Sequence, residues 1–310
     1  MAKRLYKLQK LWVEVSEEEG RRKKYYPLAV YQRKAEILQF IGRWKEAEAV
    51  YHKNLEWAIA SGDRKLIAQS KTTLGVLLRG RGAYGDAFSL FEDACKIYTE
   101  VSDKRGTGLA IGSMGLVYLD WGNYLKAIEC LQQALQILQE LGDRLRISLW
   151  LGHLGHIYQI QGNYEEAMKC YQSELNIGEE LGEKRIVYYA LSNIANISYL
   201  YGNYEKAIED HQRALHLAEQ LGDKQSISYC VGNLGVICME QGNYERSIEC
   251  YSKCLEIAEG LGDKLGARIT LDNMGELFKK IKDYLKAEDY FNKAITIDRQ
   301  LQLMLYDISS

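Results

Sequence analysis

A chain of 310 residues with a single proline, Pro27, and no β-rich run bounded by turn clusters leaves little room for sheet structure. Proline is the residue that most strongly breaks a helix interior, so its scarcity permits long helices. Also lacking is any stretch of about 18 apolar residues, the length a membrane-spanning helix needs. The amino terminus has neither the apolar core nor the small-residue cleavage site of a signal peptide. A cytoplasmic location is expected. Charge of one sign is missing as well: 40 Lys and Arg against 42 Asp and Glu leave a net charge of −2. That gives no global footprint for nucleic acid or an anionic membrane. The local exception is the first 24 residues, where Lys3, Arg4, Lys7, Lys10, Arg21, Arg22, Lys23 and Lys24 outnumber four glutamates. This reads as a solvated end. Seven cysteines, an odd number in a long chain, fit a reducing compartment better than a disulfide framework.

What is abundant is glycine at fixed places. Gly-Asn-Tyr occurs at 122–124, 162–164, 202–204 and 242–244, always 40 residues apart, with degenerate copies at 42–44, 82–84 and 282–284. A second turn, Leu-Gly-Asp in its commonest form, follows each about halfway through the repeat, as at 141–143, 221–223 and 261–263. Between turns, apolar residues recur at three- and four-residue steps, as in Tyr204, Ala207, Ile208, His211, Ala214, Leu215 and Ala218. Each unit is therefore two helices. Glycine after the last apolar residue closes one helix in the left-handed conformation, and the following Asn or Asp caps the next. Small residues form matching columns, Gly75, Gly115, Gly155, Ala195, Gly235 and Gly275 against Ala87, Ala127, Ala167, Ala207, Ser247 and Ala287. Cys130, Cys170 and Cys250 share a further column and read as small buried side chains.

Leu-Gly-x-x-Tyr, then Gly-Asn-Tyr, then Ala-x-x-x-Tyr-x-x-Ala-Leu resembles the tetratricopeptide repeat, in the long 40-residue form seen in kinesin light chains, spindle-orientation adaptors and bacterial signalling sensor arms. The resemblance covers roughly residues 24–301. It implies an all-α fold, a right-handed α-solenoid or superhelix of about seven helix-turn-helix repeats. A capping helix is expected within residues 1–23, from about Arg4 to Glu19, and a tail over 302–310. Ile295, Ile297, Leu301, Leu303, Met304, Leu305 and Tyr306 follow the last hairpin and imply self-association or a further domain at that end.

No nucleophile elbow, phosphate-binding glycine loop or paired metal ligands occur, so no catalytic residue, cofactor or metal is expected. Cys250 and Cys254 share a helix face without a nearby histidine, and His153 and His156 lack a third ligand. The resemblance places the first helices along a concave groove. Helical geometry then turns His153, His156, Tyr189, Asn193, Asn196, Tyr229, Asn233 and Asn273 toward it. Asn193, Asn233 and Asn273 hold one column, continued by His153 and Ser113. An asparagine offers donor and acceptors to a peptide backbone, and it serves equally to brace a neighbouring helix or loop. The expected function is non-catalytic: a scaffold or sensor holding an extended peptide or partner protein. A second reading is the sensor segment of a larger signalling enzyme, such as an ATPase, protease or cyclase.

Overall fold

A computed structural model describes the backbone of residues 28–309; the expected capping helix lies outside the described residues. They form fourteen α-helices: α1 (Leu28–Phe40), α2 (Trp44–Ser61), α3 (Arg64–Gly80), α4 (Tyr84–Glu100), α5 (Lys104–Asp120), α6 (Tyr124–Glu140), α7 (Arg144–Ile160), α8 (Tyr164–Leu181), α9 (Lys184–Leu200), α10 (Tyr204–Leu221), α11 (Lys224–Glu240), α12 (Tyr244–Leu261), α13 (Lys264–Lys280) and α14 (Tyr284–Ser309). No strand occurs among the described residues. Two compact units divide between Ile157 and Tyr158. In each, consecutive helices pack as the stacked hairpins of a solenoid.

The turns set the spacing. A residue in the left-handed conformation stands every 20 positions from 42 to 282, and eleven of these are glycines. Ser102 at φ 56° and Lys282 at φ 66° complete the series. At each turn the chain closes the previous helix: Gly122 N–H donates to the Leu119 carbonyl at 2.9 Å and Asn123 N–H to that of Tyr118 at 2.8 Å. The next side chain then opens the following helix. Asn203 Oδ1 accepts from the Lys206 amide at 3.2 Å, and Asp263 Oδ1 from the Gly266 amide at 2.9 Å. The period would place another turn at residue 302. Gln302 stands there instead, and α14 runs through it to Ser309. Of the apolar residues beyond the last hairpin, Ile295 is exposed and Ile297 and Leu301 are half-buried, while the side chains from 302 onward lie outside the description.

The small-residue columns let helices meet closely. A Cβ added at Gly75 would lie 2.7 Å from Phe91 Cε1, one at Gly235 2.7 Å from Tyr251 Cε1, and one at Gly275 2.5 Å from Phe291 Cε1. At these three places glycine makes room for the ring that stands 16 residues later. Two alanines also precede rings at that step: Ala35 precedes Tyr51, which is 4 % exposed, and Ala195 precedes His211, which is 1 % exposed. The alanine column facing it is fully buried at Ala87, Ala127, Ala167 and Ala207, and Ser247 fills its place there by donating to the Gly235 carbonyl at 2.8 Å. In the cysteine column, Cys170 is buried whereas Cys130 and Cys250 are half-buried.

The carboxyl and imidazole side chains of Glu174, Asp210 and His211 interrupt this apolar packing in the second unit, and Asp210 is paired with Lys206 at 3.2 Å. Glu174 stands where Ala94, Ala134, Ala214 and Ala294 stand in other repeats. Its Oε2 has no hydrogen-bond partner among the described residues, and burial pushes its carboxyl up to about 8. Burial holds the His211 imidazole down at about 4, and its Nδ1 is also without a partner among the described residues.

Three measurements test this packing. Lys282→Gly removes a side chain from a left-handed position and should raise stability by about 1 kcal/mol, read as a higher denaturant midpoint; an unchanged or lower midpoint contradicts the turn's conformational origin. His211→Phe should cost about 1 to 3 kcal/mol by overpacking against Ala195, and Ala195→Gly should restore most of it. Additive effects in that cycle would dissociate the two positions. Glu174 keeps its proton in the fold up to about pH 8, against about 4.5 when unfolded, so its contribution is full below pH 4.5 and is lost as pH rises through 8. Wild type minus Glu174→Gln should therefore fall across that window, by roughly a few kcal/mol at the upper limit. Parallel curves from pH 5 to 8 would place Glu174 in water.

Candidate functional site: the groove of the second unit

In residues 158–310 the first helix of each hairpin, α9, α11 or α13, presents one face away from the core. The sequence dictates that face. Val231, Leu234, Gly235 and Cys238 of α11 are buried, which turns Tyr229, Asn233 and Val236 the other way. Tyr189, Tyr229 and Ile269 occupy one repeat position and are 50 %, 46 % and 45 % exposed, an apolar and aromatic line of unusual openness for such side chains. Beside it runs the half-buried column Asn193, Asn233 and Asn273.

Two cavities open on this face. The larger, about 370 Å3, lies between α11 and α13 over a floor from α12; Tyr229, Asn233, Asn273, Thr270 and Cys254 are among its lining residues. The smaller, about 30 Å3, is bounded by Asn196, Tyr199, His211, Asn233, Val236 and Ile237. Asn233 belongs to both. Its Nδ2 is buried with no hydrogen-bond partner among the described residues. An unpaired buried amide donor costs free energy that a bound acceptor would recover. Asn196 is differently placed: its Nδ2 donates to Tyr229 Oη at 2.7 Å, tying adjacent repeats together across the groove surface. Tyr189 stands edge-on to Tyr188 at 5.0 Å. At the far end of the face, Lys280 and Glu240 pair at 2.8 Å, and Glu276 bonds Lys279 of its own helix at 3.1 Å. The larger cavity has a single charged residue, Asp263, in its lining.

His153 and His156 belong to the first unit. His156 is exposed. His153 is partly buried beside Trp150, with ring centres 5.9 Å apart. Burial holds its imidazole down at about 4, with the charges of Arg79 and His156 adding to the effect. Ser113, expected to continue the polar line, is buried and donates to the Leu109 carbonyl of its own helix at 2.9 Å. Sequence reasoning missed the floor residues Tyr251, Cys254 and Ala258, because on helical periodicity they look like ordinary core positions of a second helix. It also placed His211 only in the helical recurrence of a second helix and gave it no further role. The one available signal was that His211 falls in the column of Tyr51, Phe91, Tyr171, Tyr251 and Phe291. Among the described residues no three His, Cys, Asp or Glu side chains gather in a metal-holding group, and no helix is long and apolar enough to cross a membrane.

Comparison with solved structures gives the same fold at low identity. A Signal Transduction ATPase with Numerous Domains protein with a tetratricopeptide repeat sensor, from Pyrococcus horikoshii, matches with a TM-score of 0.73 at 18% identity. The match covers 98% of this chain and 45% of that one, so the chain spans less than half of that protein. A Rap protein complexed with Competence and Sporulation Factor matches with a TM-score of 0.68 at 18% identity, over 89% of this chain and 76% of the other. The Rap conjugation gene regulator of plasmid pLS20, in complex with the Phr* peptide, matches with a TM-score of 0.65 at 16% identity, over 93% and 78%. No curated protein matches the chain in sequence. Tetratricopeptide-repeat family models match residues 27–100, 107–180 and 225–300, and a second such model matches 190–225. With hairpins of the same build in both units and family models over most of its length, the chain belongs to the tetratricopeptide-repeat family.

Proposed function

We propose that this chain is a non-catalytic recognition module and that the groove of its second unit holds an extended peptide segment of a partner protein. The observation that carries the reading is Asn233, whose buried and unpaired Nδ2 borders both groove cavities, in column with Asn193 and Asn273. An extended backbone offers a carbonyl acceptor to such a donor whatever its sequence, and flanking tyrosines supply contact area at low entropic cost. Tyrosine, asparagine and aliphatic side chains provide contacts rather than the activated nucleophile and base that turnover needs. The likeness to a Rap protein held with the Phr* peptide supports a peptide as the ligand class. His153 and His156 are assigned to the same task in the first unit. Seven free cysteines suit a reducing cytoplasm.

A second reading rests on the match to the sensor-bearing ATPase: the chain is the sensing segment of a larger signalling enzyme. The groove then does the same work, and a domain outside these residues answers it. A longer reading frame carrying a nucleotide-binding motif would select this reading.

The asparagines provide the test. Changing Asn193, Asn233 and Asn273 together to alanine should lower affinity for peptides selected from a random linear library by orders of magnitude, at about 1 kcal/mol or more per site. Stability should move by about half a kcal/mol or less. A triple mutant that melts early yet binds normally below its transition makes the asparagines braces, and the groove assignment is wrong.

A further inference from the structure

Gly232 sits in the middle of α11, where glycine is costly relative to alanine and where its backbone is ordinary helix. Most glycines inside these helices are explained by a neighbour that a Cβ would strike, but one at Gly232 would meet only Cys254 Sγ at 3.6 Å, an ordinary contact. No neighbour among the described residues requires glycine there. Three repeats earlier the same position is Gly112, and there the reason is plain: a Cβ would fall 2.5 Å from Trp150 Cε2. The indole of Trp150, 3 % exposed, lies on Gly112. The repeat position of Trp150 is Ala190, then Cys230, then Thr270 in the second unit, and the Thr270 hydroxyl is spent on the Gly266 carbonyl at 2.8 Å. The glycine is kept and the indole is gone. Between them lies the cavity of about 370 Å3.

We propose that this cavity, between Gly232 on α11 and Thr270 on α13, receives one bulky, uncharged aromatic side chain of the bound segment, taking the place that Trp150 takes within the chain itself. The inference rests on the groove reading and specifies what its ligand carries. Asn233 and Asn273 at the rim hold the backbone on either side of that residue, while the ring descends onto Cys254 and Ala258. Charge complementarity points the same way. Asp263 is the one charged residue in the lining, and its Oδ1 is committed to the Gly266 amide at 2.9 Å. A cationic side chain would find a single carboxylate that already accepts a backbone hydrogen bond, and an anionic one would meet no cation in the lining. An aromatic ring buries 150 to 250 Å2, about the largest apolar contact a single residue can make.

Two substitutions fill the cavity from opposite walls. Thr270→Trp restores the arrangement of Gly112 and Trp150 in the second unit; Gly232→Leu projects a side chain from the other helix and removes a helical glycine. Both should melt no lower than wild type. Random linear peptides selected on wild type should be enriched in Phe, Tyr or Trp at one position. On either folded variant that enrichment should fall more than tenfold, while dependence on Asn193 and Asn233 remains. Peptides that bind through the asparagines with no aromatic preference overturn this inference and leave the groove reading standing. An aromatic preference that survives in both folded variants places the ring elsewhere and also overturns it. A wild-type protein that selects no peptide overturns the groove reading and the inference with it.

Discussion

One conformational constraint underlies the rest of the molecule: a residue with positive φ every 20 positions. An L-residue with a Cβ pays for that conformation and glycine does not, so the chain places glycine at nearly all of these points. With turns fixed, most helices come out 17 or 18 residues long. Equal lengths hold the columns in register from one hairpin to the next. Only in register can Gly235 meet Tyr251, or Gly275 meet Phe291, at distances that leave no room for a methyl group.

The groove is a by-product of that register. Burying Val231, Leu234 and Cys238 on one side of α11 obliges Tyr229 and Asn233 to face the other, and the same geometry repeats on α9 and α13. The fold leaves the identity of those outward positions undetermined. Asn196 and Tyr229 bond each other across repeats, which stiffens that surface. Asn233 Nδ2 finds no hydrogen-bond partner among the described residues.

Much of the architecture was legible in the sequence because it is periodic: each turn glycine, each capping Asn or Asp and each small column announces itself seven times or nearly so. Which residues of each first helix turn away from the core can be read from the helical angle; the groove they are expected to line comes from the family resemblance. What was not legible depends on departures from the period. Ser113 looked like a groove residue until its hydroxyl was found on the Leu109 carbonyl, since a helix can absorb a serine locally. His211 and Glu174 broke their columns visibly, yet whether such a break faces water or the core depends on packing between helices, which no single helix records. The cavity at Gly232 is harder still. It is defined by a side chain missing from a different helix 38 positions away, and only comparison with Gly112 and Trp150 gives that absence meaning.

The uniform helix length also governs how such a molecule can change. Adding one residue inside any helix rotates everything beyond it by about 100°, enough to swing an asparagine out of the groove and an exposed tyrosine into the core. Single insertions are thus poorly tolerated everywhere except at the turns, where the left-handed residue sets the phase anew. Viable variation in length comes in whole hairpins. A lineage built this way alters its reach in steps of 40 residues, and alters what it binds by point substitution on one face.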